Sequence, residues 1–176
     1  MSCIRTYTGI MFDPLNPDPE LVNITDIAHA LSLLCRANGH FRNFYSVAQH
    51  SINCLEEAKA RGYSEKVQLA CLLHDASEAY MSDVPRPLKH MLSEYVAVEE
   101  TLLQKIYEKY LGSDLTAEEA ALVKAVDDDV LYFDLKELLH ETLDREVPQM
   151  KVAPDYKFVP FAQVEEEYLA LYEQWK

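Results

Sequence analysis

The chain has 176 residues, enough for one domain of ordinary size, and its 49% hydrophobic and 26% charged residues are typical of a globular protein. Its 16 Lys and Arg against 30 Asp and Glu give a net charge of −14, which disfavours binding to a nucleic acid polymer, because that binding depends on many cationic contacts. The longest apolar run in the middle of the chain, Leu69 to Leu73, is far shorter than the roughly 20 residues of a membrane span.

The N-terminal segment is predicted to be extended. Three prolines fall within 14–19, and apolar residues recur through the preceding stretch, which favours an arm or a short hairpin followed by a turn. We therefore expect a single domain over 1–176. It consists of an arm at 1–22, a helical core at 23–147, and a loop with a C-terminal helix at 148–176.

Three helices are predicted after the arm. Each begins at a residue whose side chain can cap a helix, and the second begins with a capping box, Ser46 with Gln49. Gly39 and Gly62 are placed to end the first two helices. The predicted helices run from Asn23 to about Arg36, from Ser46 to about Arg61, and from Ser64 to about Tyr80.

Three further helices are predicted in the second half of the chain. Pro85 and Pro87 interrupt the helical pattern, Gly112 ends it, and Thr116 with Glu119 forms another capping box. The predicted helices run from about Leu88 to Leu111, from Thr116 to about His140, and from Phe161 to Trp175, with a loop over 148–160. This content predicts an all-α helical bundle with a short extended N-terminal arm.

A few polar residues interrupt the apolar helices, and they are the candidates for chemistry. They are His50, the pair His74-Asp75, which directly follows the apolar run, and Asp127. A buried carboxylate is costly unless it is paired or binds a cation, and histidine with carboxylate suits Zn, Mn, Co or Fe. Glu78 lies four residues after His74, so a continuous helix would place both side chains on one face.

Each of these residues also has an ordinary structural interpretation. His50 alone is more often a hydrogen-bonded core histidine than a ligand. Asp75 alone could cap a helix or pair with a buried arginine, and the run from Asp127 to Asp129 alone is typical of a solvated face. Only their combination in this order favours a metal site.

The combination His50, His74-Asp75 and Asp127 resembles the H…HD…D signature of HD-domain metal-dependent phosphohydrolases, an all-helical superfamily. The stretch 74–89, HDASEAYMSDVPRPLK, is similar to the corresponding segment of the bacterial HD-domain 5′-nucleotidases and their phage-associated relatives. The segments 45–51 and 123–127 resemble that group's first-ligand and last-ligand segments, and the whole resemblance spans about 24–139.

The resemblance implies a role for each candidate residue. It assigns one divalent ion, Zn, Mn, Co or Fe with Mg also compatible, to the ligands His50, His74, Asp75 and Asp127. It implies Glu78 as the catalytic acid/base and Asp83 as a further active-site carboxylate, with Arg36 and Lys89 contacting the substrate phosphate. Monophosphatase members often have an aromatic residue after the arginine where this chain has Ala37, so base and sugar preference stay open.

We therefore expect a cytoplasmic enzyme that acts on a small nucleotide, without nucleic acid polymer or membrane partners. Its expected reaction is hydrolysis of a deoxyribonucleoside 5′-monophosphate to nucleoside and phosphate. Two alternatives stay open: a deoxynucleoside triphosphate hydrolase that releases triphosphate, and a catalytically silent nucleotide-binding scaffold. Aromatic residues expected at the surface are compatible with a homo-oligomer: Tyr107, Tyr110, Tyr168 and Trp175.

Overall fold

Helices dominate the computed structural model, which describes residues 3–141 and 143–175, so the predicted all-α fold class is confirmed. The helices are α1 Ile24–Leu33, α2 Val47–Ala60, α3 Glu65–Leu73, α4 Glu78–Met81, α5 Arg86–Lys89, α6 Ser93–Leu111, α7 Ala117–Leu138 and α8 Phe161–Tyr172. Short 3-10 turns cover Pro19–Leu21, Arg36–Gly39 and Glu173–Trp175. No helix in the described ranges is long and apolar enough to cross a membrane.

The N-terminal arm forms a small hairpin. Strand β1, Ile4–Arg5, pairs antiparallel with β2, Met11–Phe12, and places Ile4 opposite Phe12. Phe12 is fully buried and its ring packs 4.3 Å from that of Tyr80. The turn of the hairpin contacts α1, where the Tyr7 ring stacks on His29 at 3.6 Å and Thr8 donates two hydrogen bonds to Asp26 at 2.7 and 2.9 Å.

The capping residues act as the sequence predicts. Asn23 accepts a hydrogen bond from the backbone of Thr25, and Ser46 forms a reciprocal capping box with Gln49 at the start of α2. Thr116 and Glu119 do the same at the start of α7. These side chains satisfy N–H groups that a helix leaves without intrahelical partners, which fixes where each helix begins.

Three predicted helices are shorter than expected. The first ends at Leu33 rather than near Arg36, because Leu34 turns to an extended conformation and its carbonyl accepts from the backbone of Val47 at 3.0 Å. The third ends at Leu73 rather than near Tyr80. The helix predicted from about Leu88 is instead divided into α5 and α6 at Leu92, whose φ of −117° and ψ of 60° are not helical.

The core forms around α2 and α3, which pack against each other and against α7, with α1 and α8 on the other side. Buried aliphatic side chains from these helices fill it, and α6 contributes Leu102 and Ile106. Tyr168 of α8 is fully buried and donates its hydroxyl hydrogen to the carbonyl of Leu72 at 2.8 Å. Tyr107 and Tyr168 are therefore core residues, and the expectation that they lie at the surface is wrong.

A buried carboxylate holds the loop that follows α7. Glu57 of α2 is fully buried and accepts hydrogen bonds from the backbone N–H groups of Lys151 and Val152, at 2.9 to 3.0 Å. Arg61, one turn further along α2, pairs with the same carboxylate at 2.7 Å. The predicted loop over 148–160 has no helix or strand, and this contact fixes its course beside the core.

Candidate metal centre

The four side chains predicted to bind a metal lie together. His50 Nε2, from α2, is 3.1 Å from Oδ1 of Asp127 on α7. His74 Nε2, in the turn after α3, is 3.2 Å from Asp75 Oδ2 and 3.8 Å from the same Asp127 oxygen. Residues separated by up to 77 positions in the chain therefore converge on one point.

The spacing of these atoms fits a divalent ion. Donor atoms held about 2.0–2.2 Å from a zinc-type ion lie roughly 3.0–3.6 Å from one another, close to the separations observed here. His74 Nδ1 donates to the carbonyl of Cys71 at 2.8 Å, while its buried Nε2 forms no hydrogen bond. In the neutral imidazole this nitrogen carries the lone pair, and because it faces two carboxylates it is placed as a metal ligand would be.

The other histidine is oriented by a carboxylate. His50 is completely buried, and its Nδ1 donates to Oδ2 of Asp134 at 2.8 Å. Asp134 is also completely buried and lies on α7, seven residues after Asp127. A histidine whose second nitrogen donates to a carboxylate is the usual arrangement of a metal ligand, since the bond fixes the tautomer and the ring. This contact directs His50 Nε2 towards the cluster.

The charges of the cluster favour a cation. Burial raises the pKa of both aspartates, but His74 and then Arg36 outweigh it and leave the pKa of Asp75 low, and His50 with His74 hold the pKa of Asp127 well below its ordinary value. Burial lowers the pKa of His74, but Asp75 and Asp127 outweigh it and hold that pKa well above the ordinary value. Two carboxylates that stay charged thus face imidazole nitrogens within a few ångströms.

A nearby cysteine provides a competing set of donors. Cys54 lies one turn after His50 on α2, with its sulfur 3.5 Å from His50 Nε2. Atoms of His50, Cys54 and His74 lie within 4.8 Å of one another and could hold a metal ion. Burial, followed by the charges of Asp127 and other neighbours, raises the pKa of Cys54 well above its ordinary value. The thiol therefore stays protonated while the aspartates are charged, so the aspartates are the stronger metal ligands.

Glu78 reaches the site from a different element than predicted. The chain after Leu73 forms tight turns, in which the N–H of Ala76 donates to Leu73 and that of Glu78 to Asp75, so α3 does not continue to Glu78. The expectation that His74 and Glu78 share one face of a single helix is wrong. Glu78 instead begins α4, is buried, and has an Oε2 atom without a hydrogen-bond partner.

A cavity of about 460 Å³ opens beside the cluster. Asp75, Glu78 and Asp127 line it, and so do Asp83, Arg36 and Lys89, the other residues assigned by sequence. Burial, followed by repulsion from Asp75 and Asp83, raises the pKa of Glu78 well above its ordinary value, and burial also raises that of Asp83. Apolar side chains also line the cavity, among them Ala37, Phe41, Leu131 and Leu135.

Two predicted phosphate contacts are engaged with carboxylates. Arg36 donates from Nη1 to Asp75 Oδ2 at 3.0 Å, and its Nε lies 3.6 Å from Asp134. The alternative that Asp75 pairs with a buried arginine is therefore also realised. Lys89 lies 2.8 Å from Glu99 and 3.6 Å from Glu78. Both cations still border the cavity.

Three residues of the site were not assigned from the sequence. Asp134 could have been found, since seven residues are about two helical turns and place it on the same face of α7 as Asp127. Cys54 stands one turn after His50, but nothing separated it from an apolar core residue. Arg86, which contacts Asp127 across 41 positions, gives no local signal. Asp128 pairs with Lys124 and also with Arg86, and Asp129 pairs with Arg61.

Two relatives share a large part of this sequence. The uncharacterized protein YfdR of Escherichia coli is 41% identical over 112 residues, which cover 62% of this chain and 59% of that protein. The uncharacterized protein RCAP_rcc00048 of Rhodobacter capsulatus is 36% identical over 130 residues, which cover 70% of this chain and 66% of that protein. The chain thus spans less than two thirds of each relative, and neither name states an activity. No family model matches the chain.

Proposed function

We propose that this protein is an HD-domain, divalent-metal-dependent phosphohydrolase that converts a deoxyribonucleoside 5′-monophosphate to nucleoside and phosphate. The observation that supports it is the convergence of His50, His74, Asp75 and Asp127, from two helices and a turn, at the edge of a cavity lined by cations. A second observation that supports it is His74 Nε2, which forms no hydrogen bond and lies 3.2 Å from Asp75 and 3.8 Å from Asp127.

The residues around the cavity have separate parts in this reaction. A divalent ion, when bound, supplies Lewis acidity that polarises a phosphoryl oxygen and makes water more acidic. Arg36 and Lys89 offset the negative charge of the phosphate in a protein whose net charge repels anions. Glu78, with an unpartnered oxygen at the cavity wall, moves the proton to the departing oxygen, a contribution of about 100-fold to 10,000-fold.

The shape of the cavity supports a nucleoside monophosphate as substrate. A volume of about 460 Å³ lies in the range of small-molecule sites, roughly 300–1,000 Å³. Its charged side chains suit the phosphate, and the apolar side chains of Phe41, Leu131 and Leu135 suit the base and sugar. Phe41 is an aromatic residue of this lining, whereas the residue that follows Arg36 in the chain is Ala37.

The proposal is tested with purified protein loaded with Mn²⁺, Co²⁺ or Zn²⁺ and a panel of nucleoside mono- and triphosphates. Release of inorganic phosphate from monophosphates supports it. Release of triphosphate indicates the triphosphohydrolase alternative, and binding without turnover indicates a silent scaffold. Asp75→Ala and Asp127→Ala should each abolish metal-dependent turnover while the circular dichroism spectrum stays helical.

Glu78→Gln separates proton transfer from metal binding. The variant should keep the metal content of the wild type and lose at least about 100-fold in kcat, because only the proton-transfer group is removed. Asp129→Asn is the matched control, since Asp129 pairs with Arg61 at 2.8 Å and lies outside the residues that line the cavity. Wild-type turnover by Glu78→Gln would contradict the role given to Glu78.

A further inference from the structure

Arg86 is the third cation that lines the cavity, and it binds the acidic run of α7. Its Nη2 donates to Asp127 Oδ2 at 2.5 Å and its Nη1 donates to Asp128 Oδ1 at 2.6 Å. Asp127 is therefore shared: Oδ1 faces the histidines and Oδ2 holds the guanidinium. Arg86 is thus the cation that directly contacts the carboxylate nearest both imidazoles.

The pair is built to exchange partners. The Arg86 side chain is 49% exposed, whereas Arg36 is 11% exposed and held by two carboxylates. Water that reaches the half-exposed guanidinium screens its attraction to the aspartates and lowers the cost of separating Arg86 from them. Asp128 keeps a cationic neighbour when Arg86 leaves, because Lys124 Nζ lies 2.7 Å from its Oδ2.

A divalent ion and Arg86 compete for the negative charge of Asp127. Four carboxylates line the cavity, Asp75, Glu78, Asp83 and Asp127, against three cations, Arg36, Arg86 and Lys89. A bound ion adds two positive charges next to Asp127, and these weaken its attraction for the guanidinium and repel Arg86. A phosphate monoester dianion restores the balance, and its oxygens accept both N–H groups of a guanidinium.

We propose that Arg86 is a substrate-binding residue for the phosphate dianion, and that it exchanges Asp127 for the phosphate when the metal site is loaded. The inference rests on the proposed function, because it requires an ion at His50, His74, Asp75 and Asp127. Metal and phosphate then bind cooperatively, since the ion releases the guanidinium that the phosphate needs. Arg86 therefore weakens binding of the ion to the metal-free protein and strengthens binding of the phosphate to the metal-loaded protein.

Opposite effects on two affinities test the exchange. Calorimetric titrations measure Mn²⁺ binding to the free protein and inorganic phosphate binding to the Mn²⁺-loaded protein, for the wild type, Arg86→Gln and Lys124→Gln. Arg86→Gln should bind Mn²⁺ roughly 3-fold to 10-fold more tightly and phosphate at least about 10-fold more weakly. Lys124→Gln removes a cation from the same acidic run outside the cavity lining, and should change each affinity less than about 2-fold.

The outcomes distinguish the inference from the proposed function. If the wild type binds no divalent ion, the proposed function fails and the exchange fails with it. If the wild type binds Mn²⁺ and phosphate but Arg86→Gln behaves like Lys124→Gln, or weakens both ligands together, only the exchange is wrong. Arg86→Lys keeps the charge without the planar pair of donors, so it should restore part of the phosphate affinity and none of the gain in Mn²⁺ affinity.

Discussion

Replacing Asp134 by asparagine removes the charge that orients His50 without changing the size of the side chain. Asp134 Oδ2 accepts from His50 Nδ1 at 2.8 Å, and both side chains are completely buried. The asparagine carbonyl can still accept that hydrogen bond, but it no longer increases the electron density that the ring offers at Nε2. The expected consequence is a weaker metal ligand in an intact fold.

The magnitude follows from the place of Asp134 behind a ligand. Changes of this kind cost about 10-fold to 100-fold in metal affinity, or about 1.4–2.7 kcal/mol. We expect the lower end, about 10-fold, because the hydrogen bond itself can persist. The free energy of unfolding should fall as well, because Asp134 is completely buried and Arg36 Nε lies 3.6 Å from its Oδ2, so the substitution leaves that guanidinium with one carboxylate fewer.

The assay is a competition titration of Zn²⁺ or Mn²⁺ against a chelator, together with urea unfolding of the metal-free protein. Asp129→Asn is the matched control, because it is the same substitution on the same helix and affects the pair with Arg61. Asp134→Asn should lose about 10-fold in affinity and Asp129→Asn less than about 2-fold. Equal affinities for Asp134→Asn and the wild type would refute the role of the carboxylate behind His50.

Three further outcomes are expected. Metal at about 100 times its Kd should stabilise the protein by about 2.7 kcal/mol and raise Tm by roughly 5–10 °C in a thermal scan. A chelator should reverse this increase, and the Asp127→Ala variant should not show it. Ala37→Gly should stabilise the fold by about 0.5–1 kcal/mol in urea unfolding, because Ala37 has a left-handed φ of 52° that glycine adopts more easily. The control, Ala121→Gly in the exposed interior of α7, should cost about 1 kcal/mol. Destabilisation by both substitutions would contradict the strain at Ala37. Glu57→Gln should lower the free energy of unfolding by about 2–4 kcal/mol and make the loop 148–160 more sensitive to limited proteolysis. The reason is that the amide cannot accept hydrogen bonds from all the N–H groups that the carboxylate holds. Wild-type stability of this variant would exclude the anchoring role of Glu57.

Local signals allowed most helix starts to be predicted from the sequence. Capping depends on contacts within three residues, so the Ser46 and Thr116 boxes fixed the starts of α2 and α7. Helix ends depended on distant contacts. Leu34 leaves α1 because its carbonyl bonds to Val47, and that partner gives no signal in the helix itself. The end of α3 was missed because residues 74–77 form hydrogen-bonded turns that continue directly into α4, and the sequence does not distinguish such turns from a continuous helix.

The site was predictable where residue type and order carried information. Polar residues among apolar ones singled out His50, His74, Asp75 and Asp127, the resemblance assigned them to one ion, and the structure places them together. The surrounding pairs were not predictable, because the contact between Arg86 and Asp127 depends on how the segment after α4 packs against α7. Charged residues that come into contact only in the folded protein produce no periodic pattern in the sequence.

Anomalous diffraction from crystals of the Mn²⁺- or Zn²⁺-loaded protein tests the metal centre most directly. We expect one strong peak about 2.0–2.3 Å from the Nε2 atoms of both His50 and His74 and from an oxygen of both Asp75 and Asp127. A peak held by His50, Cys54 and His74 with the aspartates turned away, or no peak between the histidines, would contradict the proposed centre.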